Sequence, residues 1–256
     1  MAVLTFLGTG TSQGVPMVAC PCDVCHSTDE RDRRLRSSVL ISDGQTNVVI
    51  DAGPDFRYQM LRAGVTRLDA ILLTHEHKDH TGGIDDVRAF NYFQSSATDI
   101  YATERVQRAV RKDFDYAFGE NRYPGVPDIA LHTITDEDIT IGTLRFTPIS
   151  GLHYRLPVTG FRCGDIAYLT DFNAISDEQI ERLRGVQTLV VNALRWEPHL
   201  SHFTVDEAIA LSRRIAPRRT LLTHCSHQFG LYSEVAPRLP EGIEPAYDML
   251  RVDFNK

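Results

Sequence analysis

Short apolar runs punctuate this chain from one end to the other, and several stop abruptly on a carboxylate or an imidazole. Asn47-Val48-Val49-Ile50 stops at Asp51, the run from Asp69 to Thr74 at His75, the run from Asp165 to Thr170 at Asp171, and Thr220-Leu221-Leu222-Thr223 at His224. Runs this short, rich in β-branched residues and bounded by Gly or polar residues, predict strands. Met1 to Gly8 predicts an edge or first strand, and Asp138 to Pro148 a strand pair or one long bent strand. Helical periodicity marks Glu104 to Phe114 and Ser176 to Leu183. A further helix opens at Thr204, where Glu207 completes a capping box; Ile209, Leu211 and Ile215 face inward, and Pro217 ends it. Alternating elements of this kind predict an α/β fold, in which side chains from several strand ends meet at the carboxyl edge. Asp51, His75, Asp171 and His224 are therefore expected around one site.

Composition narrows the setting. The chain has 256 residues, no Pro/Gly/Ser-rich linker and no internal repeat, so one domain over residues 1–256 is the simplest expectation. The N-terminus carries no basic leader and no apolar run spans a bilayer, which places the protein in the cytoplasm with no membrane partner. Against 27 Lys and Arg stand 34 Asp and Glu, a net charge of −7 that gives no support to a DNA partner and little to RNA. Residues 84–132 are the least legible, with Tyr92, Phe93, Tyr116 and Phe118 readable either as a substrate wall or as core.

The densest chemical signal is His75-Glu76-His77-Lys78-Asp79-His80, followed by Thr81-Gly82-Gly83. His75 and His77 leave an extended segment on one face and suit one metal ion. Asp79 and His80 suit a second, with the glycines allowing backbone and metals to approach closely. The expected division is His75, His77 and His153 on one ion and Asp79, His80 and His224 on the other, with Asp171 and a hydroxide between them. Asp51 is cast behind them, orienting an imidazole through its far nitrogen. Each isolated residue also has a plainer reading, His153 as a loop residue and Asp171 as a helix cap.

On these residues the chain resembles the metallo-β-lactamase superfamily, whose His-x-His-x-Asp-His signature is similar to His75 to His80, with Asp51, His153, Asp171 and His224 following in that fold's order. Phe6-Leu7-Gly8-Thr9-Gly10-Thr11-Ser12 looks like the tRNA 3′-processing endonuclease branch. Gly14-Val15-Pro16, the cysteine cluster and Thr223 to Phe229 look more like the cyclic phosphodiesterase of the carbon-phosphorus lyase pathway. The resemblance implies a four-layer αββα sandwich, phosphodiester cleavage and a homodimer.

Cys20, Cys22 and Cys25 offer three thiolates in one short loop, one ligand short of a closed tetrahedral zinc site. The resemblance implies His227 as the fourth; Cys225, Cys163 and His26 are rivals by sequence. For the chemistry, two divalent ions, zinc or manganese, activate a bridging hydroxide against a small cyclic or ester-linked phosphodiester. His202 is the candidate general acid for the leaving oxygen, with His199 its neighbour and competitor. Pre-tRNA cleavage and thioester or lactone hydrolysis are the alternative activities, and a noncatalytic metal-binding module is disfavoured by so full a ligand set.

Overall fold

The computed structural model describes residues 1–119 and 123–256, so part of the least legible stretch, residues 120–122, lies outside the described residues. The chain lays down β1 (Ala2–Gly8), β2 (Ser38–Ser42), β3 (Asn47–Ile50), β4 (Ala70–Leu72), β5 (Thr98–Ala102) and β6 (Ile129–Thr133) in one sheet. It then builds a second sheet from β7 (Ile139–Ile141), β8 (Leu144–His153), β9 (Leu156–Cys163), β10 (Ile166–Leu169), β11 (Thr188–Asn192), β12 (Arg219–Thr223) and β13 (Ile243–Pro245). β14 (Arg251–Phe254) returns to pair antiparallel with β1. The sheet orders are β14-β1-β2-β3-β4-β5-β6 and β13-β12-β11-β10-β9-β8-β7.

The period-two pattern of the strands explains the layers. Val48, Ile50, Ala70 and Leu72 face the other sheet, where Phe146, Phe161, Tyr168, Val190 and Leu221 meet them. Val49 and Ile71 point the opposite way, onto α1 (Phe56–Ala63), α3 (Arg88–Gln94) and α4 (Glu104–Asp113). On the far side Leu169, Val191 and Leu222 pack under α5 (Asp177–Glu181) and α6 (Val205–Ile215). The result is the αββα sandwich, with short α2 (Lys78–Thr81) and α7 (Tyr232–Val235) at its margins. The capping box of Thr204 and Glu207 forms as the sequence predicts.

Strand direction positions the site. β3 and β4 run parallel, with Ile50 opposite Leu72, so their ends bring Asp51 and His75 side by side. β10, β11 and β12 are also mutually parallel, which carries Asp171 and His224 to one edge. β8 is antiparallel to β9 and β9 to β10, so β8 delivers His153 to that same edge. His153 is the last residue of a ten-residue strand and not a residue of the loop beyond it. Asp138 to Pro148 is a strand pair.

The span 84–132 holds α3, β5, α4 and β6 in its described part. Its aromatics do not line the mouth of the site. Tyr92 and Phe93 are exposed on the outer helical layer, Phe118 packs against the core under α4, and the Tyr116 hydroxyl donates to Asp85. The glycines after His80 serve backbone packing. A Cβ on Gly83 would sit 2.0 Å from the Gly53 carbonyl oxygen, and one on Gly53 2.0 Å from that of Asp79. Both positions require glycine because the loop ending β3 and the loop ending β4 touch through their backbones.

Candidate metal centre

Two groups of donors stand at the shared edge. The ligating atoms of His75, His77 and His153 lie within 4.8 Å of one another, as do those of Asp79, His80, Asp171 and His224. The rings of His75 and His80 are 4.3 Å apart between centroids, so the two groups adjoin. Asp171, His80, His75 and His224 are sealed from solvent, whereas His77 is exposed.

The buried imidazoles are held from behind. His153 Nδ1 donates to the Ser201 carbonyl at 2.8 Å, leaving Nε2 as its acceptor nitrogen. His75 Nδ1 lies 3.0 Å from Thr74 Oγ1. His224 is flanked by Thr11 Oγ1 and Ser37 Oγ, each at 3.1 Å, and the bridge between Gly10 and Cys225 seats Thr11 at the site. Burial keeps His75 neutral by pushing its pKa well down, lowers that of His153, and takes His224 to about 3. Neutral imidazole is the form that binds a metal.

His80 supplies the test of fit. Its Nδ1 lies 2.6 Å from Asp51 Oδ2. Its Nε2 is buried without a hydrogen-bond partner, 3.1 Å from Asp79 Oδ2 and 3.2 Å from Asp171 Oδ2. With Nδ1 donating to Asp51, Nε2 presents a lone pair to two carboxylate oxygens, an arrangement that calls for a cation among them. Burial opposes charge on His80, yet the carboxylates of Asp79, Asp171 and Asp51 outweigh it and hold its pKa well above the ordinary value. That negative well fits a divalent ion, which would replace the proton.

Backbone conformation marks the same residues. Asp51, Asp171 and His224 have φ of 66°, 62° and 55°, in the left-handed region. For a residue with a side chain this costs about 1–2 kcal/mol, and such strain gathers at functional positions. No single-sequence signal announced it.

His202 reaches the site from the loop before α6. Its Nε2 lies 3.0 Å from Asp171 Oδ1, and its Nδ1 3.0 Å from His199 Nδ1. His153, Asp171 and His202 thereby form a third compact donor group. The mouth beside His77 and His153 is a cavity of about 430 Å³, lined also by Arg105, Arg155, Tyr154 and Leu200. Sequence reasoning missed Arg105 and Arg155, because neither sits in a motif and only the β8–β9 turn and α4 bring them there.

A second donor cluster lies apart. Cys20, Cys22, Cys25 and His227 gather their ligating atoms within 4.8 Å. His227 Nδ1 is 3.2 Å from Cys20 Sγ and 3.3 Å from Cys22 Sγ, close to the S···N edge of roughly 3.5 Å in a tetrahedral zinc site. Of the rivals, Cys163 lies between the sheets, Cys225 under α6, and His26 bonds the Cys22 carbonyl on the surface. Burial pushes the Cys22 thiol up, but hydrogen bonds, led by that to His227, outweigh it and leave its pKa at about 6.

With this geometry established, comparison with known proteins is decisive at one level. The beta-lactamase superfamily domain matches residues 46–225, which contain every donor of the His/Asp centre. The chain belongs to the beta-lactamase superfamily. It has the metallo-β-lactamase fold. A crystal structure described as a new diphosphatase from the PhnP family superposes with a TM-score of 0.93 at 39% identity, covering 100% of this chain and 98% of that one. The short form of human tRNase Z superposes with a TM-score of 0.69 at 18% identity over 100% of both chains, a likeness of fold alone. An octanoyltransferase of Porphyromonas gingivalis is 41% identical over 253 residues, 98% of this chain and 51% of that protein. The chain thus spans about half the length of that curated relative. Among the described residues no helix is long and apolar enough to cross a membrane.

Proposed function

We propose that residues 1–256 form one hydrolase unit that cleaves small cyclic or ester-linked phosphodiesters with two divalent ions. His75, His77 and His153 hold one ion, Asp79, His80 and His224 the other, and Asp171 is shared. Two such ions supply Lewis acidity to a phosphoryl oxygen and to water. The protein's own groups do the rest. Ser201 and Asp51 orient His153 and His80, while Arg155 draws an anion to the mouth. His202, against Asp171, donates a proton to the departing oxygen. A structural zinc on Cys20, Cys22, Cys25 and His227 ties the N-terminal loop to the strand end carrying His224, in a reducing cytoplasm where the thiolates stay available.

The observation that carries the phosphodiester reading is Arg155 beside His77 and His153, which has no ion-pair partner among the described residues, whereas Arg105 is paired with Glu76 at 2.7 Å. A neutral lactone would gain nothing from that cation. Pre-tRNA is disfavoured by the net charge of −7. Thioester hydrolysis is the second reading, favoured by the 41% identity to the Porphyromonas gingivalis octanoyltransferase, although the match takes in only 51% of that protein.

The test is metal analysis of the purified protein, zinc and manganese both counted, followed by hydrolysis of an aryl phosphodiester, a 2′,3′-cyclic nucleotide, a ribose cyclic phosphate, a lactone and a thioester. Diesters should turn over fastest, and Asp171→Ala should remove most of that activity while leaving the thiolate-site zinc. Faster turnover of thioester or lactone than of every diester would reject the phosphodiester reading.

A further inference from the structure

The loop between β11 and α6 carries Ser201 and His202 at one end, and its other end is clasped to the segment that bears His227. Arg195 Nη1 donates to Gln228 Oε1 at 2.6 Å, and the Trp196 indole N–H donates to the Phe229 carbonyl at 3.1 Å. Gln228 and Phe229 complete the short 3-10 turn His227–Phe229, whose first residue is the imidazole of the cluster with Cys20, Cys22 and Cys25. The Arg238 guanidinium lies over the Trp196 ring, 4.4 Å from its centroid, and adds a cation–π contact to the clasp.

The same Arg195 shapes the rest of the loop. Its Nε donates to the Glu197 carbonyl at 3.3 Å and its Nη2 to the Pro198 carbonyl at 3.0 Å, so one guanidinium holds the turn that leads into His199. Glu197 to Leu200 are exposed, so packing contributes little to their order and the rigid fork of the guanidinium contributes much. His199 Nδ1 and Ser201 Oγ stand 3.0 and 3.1 Å from His202 Nδ1, while His202 Nε2 meets Asp171 Oδ1 at 3.0 Å. The loop thus backs the His202 ring through one nitrogen and aims the other at the metal centre.

We propose that Arg195 is a positioning residue: held by Gln228, it fixes the arch from Glu197 to Ser201 behind His202 and couples the thiolate cluster to the aim of the proton donor. The inference rests on the assignment of proton donation to His202. Zinc on Cys20, Cys22, Cys25 and His227 would hold the turn that presents the Gln228 and Phe229 acceptors. Arg195 itself bonds to Glu197, Pro198 and Gln228, so it acts on the centre through the loop.

Trp196 is the single tryptophan of the chain, so its emission reads the clasp without reference to activity. In Gln228→Ala and in His227→Ala the emission should move to longer wavelength and acrylamide quenching should rise. Gln228 is exposed, so its variants test the clasp in a folded protein. Arg195→Ala and Gln228→Ala should slow an alkoxide diester about 10–100-fold with KM unchanged, because a small misplacement of a catalytic group is costly. An aryl diester should be nearly unaffected. Gln228→Glu keeps an oxygen acceptor for Arg195 and should turn over like wild type. Added to His202→Ala, Arg195→Ala should cause no further loss, since both act on one group. Equal slowing of both diesters, loss of a catalytic ion, a further loss on top of His202→Ala, or an emission unmoved by His227→Ala would overturn the proposal. If His202→Ala itself spares the alkoxide diester, the proton-donor assignment fails and takes the proposal with it. If His202→Ala slows that diester and Arg195→Ala does not, the clasp alone is overturned.

Discussion

His80 Nδ1 and Asp51 Oδ2 stand 2.6 Å apart with both side chains wholly buried. Asp51 also accepts from the backbone N–H and the hydroxyl of Thr74, the residue before His75. One carboxylate at the end of β3 thereby sets the tautomer of His80 and anchors the segment that presents His75. Asp51→Asn keeps the shape but removes the charge that holds the Nδ1 proton. Affinity for the catalytic ions is expected to fall about 10–100-fold, measured by competition with a chelator, while the thiolate-site zinc stays. Unchanged affinity would mean that the bond does not matter to binding.

His202→Ala should leave the metal content and the melting temperature close to wild type, because the Thr170 hydroxyl also donates to the Asp171 carboxylate and holds it in place. Turnover of a diester with an alkoxide leaving group should drop about 10²–10⁴-fold, and that of an aryl diester, whose leaving group needs no proton, much less. Loss of a metal ion from the variant would instead make His202 a ligand, as its grouping with His153 and Asp171 allows.

The five thiols should separate sharply after zinc is removed. Cys20, Cys22 and Cys25 are partly exposed, whereas burial drives Cys163 up to about 12 and Cys225 up to about 11. A thiol reagent should label Cys22 first in the chelated, folded protein and Cys25, which burial pushes up to about 11, more slowly, while Cys163 and Cys225 stay shielded between the packed layers. Because the Cys22 pKa is lowered to about 6, its thiolate fraction is nearly full at neutral pH and falls as the pH drops through that value. His227→Ala should lose one zinc and melt at a lower temperature, since metal binding to a site absent from the unfolded chain contributes to folding. An unchanged zinc count in that variant would exclude His227.

Gly83→Ala places a Cβ 2.0 Å from the Gly53 carbonyl oxygen, a backbone atom that cannot swing aside. Overpacking of this kind costs about 1–3 kcal/mol, which for a protein of this size lowers the melting temperature by about 2–4 °C per kcal/mol. The shift of the loop bearing Asp79 and His80 should also weaken catalytic metal binding. Thermal melting and chelator competition on one preparation check both effects, and a variant that melts like wild type would show that the two loops can part without cost.

Strand ends, helix caps and the donor-rich run at His75 to His80 were legible in the sequence because each depends on residues near one another in the chain. Period-two burial needs only alternation, the capping box at Thr204 only residues three apart, and His75 with His77 only one strand face. Other features depended on where distant segments meet. The extension of β8 to His153 follows from pairing with β9, the left-handed turns at Asp51, Asp171 and His224 from how the strand ends must bend, and the lone pair of His80 Nε2 among carboxylates from three strands arriving at one edge. Arg105 reaches the mouth on α4 and Arg155 on the β8–β9 turn, while Tyr92 and Phe93 stand exposed on α3, placements that leave no periodic trace in the chain. Residue chemistry near in sequence therefore determined which groups could bind metal, and sheet topology decided which of them gather into one donor group, because only the direction of paired strands brings side chains far apart in the chain within ligating distance.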